Sequence, residues 1–261
     1  MKKILELTVG WLYPDLMSTY GDRGNVIVLS KRSEWRSIPL SVIPISFETS
    51  RKDLLSCNLV LGGGAQDREQ ELVANDLRLN KGKTLKEMFT RGIPGLFVCG
   101  SPQLLGKYYM TGDGKKLLGL GIFQFVTKHF GHDKPRCIGN TAGKVVGIPL
   151  SEIGKRETIV GFENHGGRTY LGQNDKPFAQ VLKGYGNNGE DGYEGAVYKN
   201  VIACYYHGPF LSKNPHIADW LLTKALEIKY GKIQTLTPLN DRLEWKAHML
   251  MLSRLEAYKD I

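Results

Sequence analysis

A cysteine between a short apolar run and a helix-start signal is the first candidate for chemistry in this chain. Residues 96–98 are apolar without polar alternation, which is typical of a buried parallel strand. After Cys99, Gly100 permits a left-handed backbone, and Ser101 and Pro102 suit the first turn of a helix. The unpaired N–H groups of a helix N-terminus favour a thiolate, so the segment predicts a nucleophile elbow with cysteine in place of serine. The same residues also suit a structural cysteine at the end of a core strand.

Among the six histidines, His207 has the context that a base for this thiol requires. It follows the apolar run 201–206, and a base for a nucleophile at a strand end is expected from another strand end on the same edge of the sheet. His165 also follows a predicted strand and is the second candidate. The remaining histidines lie in segments without such context and are predicted to be surface or structural residues: His129, His132, His216 and His248.

The glycine run at residues 62–64 offers backbone N–H groups to a ligand. It lacks the Lys-Ser/Thr ending of a phosphate-binding loop, and the acidic residues Asp67 and Glu69 follow it. Such glycines let N–H groups approach a small substrate, as in an oxyanion hole, and they suit a tight turn equally well.

Strand and helix patterns alternate in the first part of the chain. Predicted strands cover residues 4–9, 38–47, 58–61 and 96–98, and predicted helices cover 26–33, 68–79, 85–90 and the segment after the cysteine. This alternation favours an α/β fold with a mostly parallel twisted sheet and flanking helices. Ligands in such sheets bind beyond the carboxyl ends of the strands, where the glycine run and Cys99 both fall.

The second half of the chain is predicted to be β-rich, because short segments alternate with Gly, Pro and Asn. Predicted strands lie near residues 137–138, 144–148, 158–163 and 201–206, and predicted helices cover 217–229 and 241–258. We predict one main domain over residues 1–231 and a C-terminal helical extension over 232–261, packed on the same domain.

Composition limits the class of protein. The chain has 261 residues, 41% hydrophobic, with no apolar run long enough to cross a bilayer and no signal-peptide pattern. The four cysteines are far apart, which predicts no metal site and no disulfide framework and suits a reducing cytoplasm. The net charge of +9 is scattered, so it indicates a nucleic-acid partner only weakly; an anionic partner or membrane-bound substrate explains it equally well.

Several motifs in the right order resemble the cobyric-acid-synthase-like (CobB/CobQ-like) family of class I glutamine amidotransferases. They are the elbow at Cys99 with Gln103 four residues later, and residues 12–15, 20–25, 62–67, 161–165 and 207–209. The resemblance covers about residues 8–225 and implies the flavodoxin-like α/β fold of that class.

The resemblance implies a reaction for these residues. Cys99 matches the nucleophile that attacks the side-chain amide of L-glutamine, forming a thioester and releasing ammonia. His207 matches the general base and acid, and the N–H groups near Gly63 and Gly100 match the oxyanion hole. Arg136 matches an arginine that holds the substrate, as suits a guanidinium facing an α-carboxylate, and Gln103 matches a position near the substrate.

Two positions depart from the family pattern. Ser101-Pro102 replaces a Gly-Tyr pair, so the family pattern does not predict the φ and ψ angles of this elbow. Pro209 stands where most class I members carry the acid that orients the histidine. In resembling complexes that acid is thought to come from the ligase subunit; within this chain, Glu163 is the alternative.

Within the family, the motifs best match the glutaminase subunits that form a heterodimer with a MurT-like Mur ligase. It implies ammonia delivery for amidation of the D-glutamate of lipid II to D-isoglutamine, a step of peptidoglycan and hence cell-wall synthesis in the cytoplasm, near the inner face of the membrane. Nothing in the chain resembles an ATP site, so ATP and Mg are expected on the ligase, and no cofactor or metal is expected here. The alternatives are ammonia donation for corrin amidation and a non-catalytic scaffold that regulates a ligase.

Overall fold

The computed structural model describes residues 5–131, 134–231 and 236–257. Its strands are β1 (Leu7–Leu12), β2 (Leu40–Ile45), β3 (Leu59–Gly62), β4 (Gly95–Val98), β5 (Tyr108–Met110), β6 (Lys116–Leu118), β7 (Val126–His129), β8 (Cys137–Val145), β9 (Thr158–His165), β10 (Gly167–Tyr170), β11 (Ala179–Lys183), β12 (Tyr193–Glu194), β13 (Ala196–Tyr198) and β14 (Val201–Cys204). Its α-helices are α1 (Arg23–Glu34), α2 (Arg51–Ser56), α3 (Asp67–Asp76), α4 (Gly82–Thr90), α5 (Gly100–Leu105), α6 (Pro215–Tyr230) and α7 (Arg242–Ala257). A π-helical turn, Leu77–Lys81, joins α3 to α4, and 3-10 turns cover Leu150–Ile153 and Phe210–Lys213.

A six-stranded sheet in the order β13-β14-β4-β3-β1-β2 forms the centre of the fold. Its neighbouring strands are parallel except at the edge, where β13 is antiparallel to β14. Every residue of β3, β4 and β14 is buried, because both faces of the sheet are covered. Within β4, Leu96 and Val98 pack into one apolar cluster and Phe97 into another. The predicted fold class is confirmed.

Helix α2, which connects two strands of this sheet, is not among the helices predicted from the sequence. The predicted strands 38–47 and 58–61 stood in direct succession, whereas α2 lies between β2 and β3. Both strands are parallel to β1, so the chain must cross over between them. Ser50 begins the helix by accepting a hydrogen bond from the Asp53 N–H, but six residues are too few for a clear helical period.

The second half of the chain forms two four-stranded sheets, in the orders β10-β7-β5-β6 and β12-β11-β8-β9. The predicted β-rich character is therefore confirmed. Residues 137–138 and 144–148 were predicted as separate strands, but β8 is continuous and pairs with β9 along its length. At Gly143 in this strand, a Cβ would lie 2.5 Å from the hydroxyl oxygen of Tyr206, so only glycine leaves room for that ring.

Helix α7 packs on the long hairpin of the second half. Leu255 is buried against Ala142 of β8 and Val160 of β9. His248 donates a hydrogen bond from Nδ1 to the Lys213 carbonyl, and its Nε2 pairs with the Thr158 hydroxyl.

Several sequence predictions extend beyond the described residues. They are the strand start at residue 4, the helix end at residue 258, the assignment of His132, and the ranges 1–231 and 232–261 of the predicted domain and its extension. Among the helices that the structure does describe, none has the length and apolar character that crossing a membrane requires.

Candidate active site

The carboxyl ends of four strands meet at one edge of the central sheet. Strand β1 leads into residues 13–22, β3 into the glycine run, β4 into Cys99 and β14 toward His207. Strands β4 and β14 are direct neighbours, and the Cys99 N–H donates to the Cys204 carbonyl over 2.9 Å. Residues separated by more than a hundred positions are therefore adjacent in space.

Cys99 has the backbone of a nucleophile elbow. Its φ of 59° and ψ of −99° are rare for a residue with a side chain, and helix α5 begins at the next residue. The Ser101 hydroxyl accepts a hydrogen bond from the Val98 N–H at 3.1 Å and donates one to the Val98 carbonyl at 3.2 Å. Ser101 thus closes the bend, and the elbow keeps its shape with the Ser101-Pro102 pair.

His207 lies beside Cys99 and is almost fully buried. A Cβ built on Gly64 would lie 3.3 Å from the Cβ of Cys99 and 3.2 Å from Cε1 of His207, so the two side chains flank the same glycine. The Nδ1–H of His207 donates to Oδ1 of Asp22 over 2.9 Å, and its backbone pairs with Phe162 of β9. Within the described part of the chain, Nε2 of His207 has no hydrogen-bond partner.

The environment of His207 favours the imidazolium. Burial lowers the pKa of this ring, but the charge of Cys99 and the hydrogen bond with Asp22 raise it more, to about 10. Because Nδ1 is engaged by Asp22, Nε2 is the nitrogen left for the thiol and the substrate. This arrangement suits a proton acceptor that later acts as a proton donor.

In the described part of the chain, the carboxylate bonded to His207 is not that of Glu163, the internal source that the sequence suggested. Glu163 is buried, but its carboxylate accepts hydrogen bonds from the N–H groups of Tyr185, at 2.7 Å, and Gly186, at 3.0 Å. Its nearest imidazole is that of His165, at 3.9 Å. Asp22, within this chain, is the carboxylate bonded to His207. Asp22 lies within residues 20–25, one of the motifs that carry the family resemblance. That motif is the signal in the sequence that could have pointed to Asp22.

The glycine run at residues 62–64 contacts Asp22. Oδ2 of Asp22 accepts a hydrogen bond from the Gly64 N–H at 2.7 Å. A Cβ on Gly63 would lie 2.6 Å from the Met17 carbonyl oxygen, and one on Gly100 would lie 2.9 Å from the backbone nitrogen of Ala65. Gly100 follows Cys99 directly, and the Gly63 carbonyl accepts a hydrogen bond from the Ser101 N–H at 3.2 Å, so both glycines adjoin the elbow.

A cavity of about 900 Å³ opens in front of Cys99 and includes the predicted substrate residues Gln103 and Arg136. The Arg136 guanidinium is exposed, and Asn164 holds it through its side-chain oxygen, at 2.9 Å, and its carbonyl, at 3.1 Å. Gln103 is buried, and its Nε2 donates to the Tyr205 hydroxyl over 3.2 Å. Oε1 of Gln103 has no partner among the described residues.

Four other histidines lie among the residues that the structure describes. His165 lines the cavity, but its ring stacks on Tyr205 at 3.8 Å and its Nδ1 donates to the Gly167 carbonyl. Burial lowers the pKa of His165, which keeps the ring neutral. His216 of α6 and His248 of α7 are buried, and His129 lines the cavity.

The described residues contain no group of three side chains suited to hold a metal ion. All four cysteines are free and buried.

Known proteins are similar to this chain in sequence and in fold. The CobB/CobQ-like glutamine amidotransferase domain matches residues 8–215. The GatD subunit of lipid II isoglutaminyl synthase (glutamine-hydrolyzing) from Staphylococcus aureus (strain N315) is 43% identical over 255 residues, covering 97% of this chain and 98% of that protein. The subunit of the same name from Streptococcus pneumoniae (strain ATCC BAA-255 / R6) is 38% identical over 228 residues, covering 87% and 83%. A crystal structure of a glutamine amidotransferase superposes with a TM-score of 0.56 at 14% identity, covering 83% of this chain and 98% of that one, and supports the fold.

Proposed function

The chain belongs to the CobB/CobQ-like glutamine amidotransferases, and we propose that it is the glutaminase subunit of a lipid II isoglutaminyl synthase. The observation that carries the proposal is the strained Cys99 elbow beside the buried His207–Asp22 pair. A nucleophile, an oriented base and nearby backbone donors are the parts that amide hydrolysis through a covalent intermediate requires.

In the proposed reaction, the Cys99 thiolate attacks the side-chain carbonyl carbon of L-glutamine. The oxyanion forms beside Gly63 and Gly100, and the C–N bond breaks as the His207 imidazolium gives its proton to the leaving ammonia. His207 then takes a proton from water, the hydroxide attacks the thioester, and glutamate leaves as the thiolate is restored. Arg136 is the group proposed to hold the α-carboxylate of the substrate, with Gln103 close to it.

We propose that the ammonia passes to a MurT-like ligase that forms a heterodimer with this chain. Both curated relatives are named as subunits of lipid II isoglutaminyl synthase, and the alignment with the first covers nearly the whole of both chains. The ligase would bind ATP and Mg and amidate the D-glutamate of lipid II, in cell-wall synthesis. The four free cysteines are compatible with a reducing cytoplasm, where a ligase that uses ATP would work at the inner face of the membrane.

Replacement of the nucleophile tests the hydrolysis directly. We expect Cys99→Ala to abolish release of glutamate from L-glutamine, measured on the isolated chain and with the candidate ligase. Cys57→Ala is the matched control, because Cys57 is equally free but is buried in an apolar cluster of the sheet. Glutamate release that survives Cys99→Ala would refute the assignment of the nucleophile.

Two further measurements separate the alternatives. Covalent labelling of Cys99 by a glutamine-analogue electrophile is expected for an enzyme and not for a regulatory scaffold. ATP-dependent amidation of lipid II by the chain with a MurT-like ligase would support the peptidoglycan pathway, whereas amidation of a corrin carboxylate alone would support the other.

A further inference from the structure

We propose that Asp22 is the positioning residue of the catalytic histidine, so that this chain contains nucleophile, base and orienting acid without a contribution from the ligase. The inference rests on the proposed glutaminase function. It concerns the carboxylate that is absent from position 209, where Pro209 stands instead.

Two segments far apart in sequence dock on each other around this pair. The segment that begins at His207 lies along the turn that leads into α1. A Cβ on Gly24 would lie only 2.5 Å from Cγ of Pro209, and the Asn25 side-chain oxygen accepts a hydrogen bond from the Leu211 N–H at 2.9 Å. Asp22 and His207 form the third contact of this interface. The packing of the two segments therefore sets the distance between these two side chains.

Pro209 contributes to this arrangement through its shape. Its ring packs on Gly24, where any other side chain at residue 24 would collide with it. Residue 209 is therefore committed to the contact with α1. The carboxylate that bonds to the imidazole comes instead from the opposite side of the interface, two residues before Gly24 in the chain.

Both carboxylate oxygens of Asp22 are used. Oδ1 accepts from Nδ1 of His207, and Oδ2 accepts from the Gly64 N–H at 2.7 Å. The Thr19 N–H donates to the Gly64 carbonyl, which ties the same turn to the glycine run a second time. One buried side chain thus fixes the imidazole and the backbone beside Cys99 together, and it holds the proton on Nδ1 so that Nε2 faces the reaction.

Asp22→Asn separates these two functions. An asparagine oxygen can still accept from Gly64, but its NH₂ group would face Nδ1 of His207 and favour the opposite tautomer. We expect kcat for glutamine to fall roughly 10²–10⁴-fold while KM changes little. Asp15→Asn is the matched control, because Asp15 is an exposed carboxylate in the same connection between β1 and α1, and we expect it to keep the wild-type rate.

A pH profile distinguishes positioning from a structural defect. Loss of the Asp22 charge should lower the pKa of His207, so the alkaline limb of kcat/KM should move to lower pH in Asp22→Asn. The melting temperature should stay close to that of the wild type. In the double variant Asp22→Asn/His207→Ala, the rate should be no lower than in His207→Ala alone, because the acid acts through the histidine.

The assays are to be run on the free chain and on its complex with the ligase. A rate for Asp22→Asn within about threefold of the wild-type rate, in the free chain or in the complex, would overturn the proposal. If the rate is retained only in the complex, the orienting acid would be assigned to the ligase. Wild-type chain that neither hydrolyses glutamine nor reacts with the glutamine analogue in the complex would instead overturn the proposed function itself.

Discussion

At the scale of single residues, Asn164 fixes the orientation of Arg136 in the cavity. Asn164 accepts hydrogen bonds from Nε and Nη2 of Arg136, so one edge of the guanidinium is fixed by the strand β9. Three hydrogen bonds to Asn164 use Nε and Nη2, which leaves Nη1 for another acceptor, and Arg136 lines the cavity that contains Cys99. With Asn164 holding the other two nitrogens, Nη1 can donate to a carboxylate from a fixed position, which an ammonium group on a flexible stem cannot do.

Arg136→Lys should therefore raise KM for glutamine at least about tenfold and change kcat less, because it weakens binding in the ground state and the transition state alike. Steady-state kinetics of glutamate release measure both constants. Arg91→Lys, at an exposed position after α4, is the control for the exchange itself. An unchanged KM in Arg136→Lys would show that another group holds the substrate.

The predictions from sequence at this scale depended on local backbone signals. Cys99 and His207 were recognisable because each follows a buried apolar run, and a strand end at the edge of a parallel sheet is where ligands bind. Asp22 has no such signal, because it lies in a long connection between β1 and α1. Its pairing with His207, 185 positions away, arises only when the two segments dock.

At the scale of elements, α6 carries a buried imidazole that contacts α7. His216 stacks on Trp245 of α7 with ring centroids 5.2 Å apart, and neither of its ring nitrogens has a partner among the described residues. Burial, together with the nearby His248 and Arg156, lowers the pKa of His216 to about 3. The fold therefore requires this ring to be neutral.

Acidification should weaken the fold through this residue. The unfolded chain binds a proton at His216 near pH 6.5, whereas the folded chain resists it down to about pH 3, so the stabilisation is complete above pH 6.5 and is lost as the pH falls. The free energy of unfolding should drop by up to about 1.4 kcal/mol per pH unit below pH 6.5. His216→Phe should reduce this slope in urea titrations between pH 7.5 and 4.5. The slope that remains comes from His165 and His248, because burial lowers the pKa of these two rings as well. An identical slope in the variant would exclude His216 as its source.

At the scale of the whole molecule, the sequence predicted the parallel sheet better than its surroundings. Apolar runs without alternation identified β3, β4 and β14, because strands covered on both faces have little polar content. The continuity of β8 was not predictable in this way. It contains Gly139 and Asn140, which predict a break between strands when the sequence is considered alone, and both residues pair with β9 in the structure. Pairing partners of this kind are set by tertiary structure and not by local propensity.

A buried arginine connects three distant parts of the chain. Arg32 of α1 is 2% exposed, and its guanidinium donates to Asp219 of α6 at 2.7 Å and to Asp241, just before α7, at 2.6 Å. Removing one partner of a buried ion pair leaves charges without compensation, whereas exposed pairs contribute little. Lys31, the adjacent residue, forms only an exposed pair with Glu34 and provides the matched comparison.

We expect Arg32→Met to lower the free energy of unfolding by about 3 kcal/mol. This is the lower end of the range for buried pairs, because both carboxylates retain some exposure to solvent and Asp219 keeps its ion pair with Arg36. Lys31→Met should change it by less than about 1 kcal/mol. Urea titration at pH 7.5 measures both, and glutamate release per folded molecule should remain at the wild-type rate, since Arg32 does not line the cavity that contains Cys99. Equal losses of stability in the two variants would mean that the docking of α6 and α7 on α1 depends on apolar packing and not on this ion cluster.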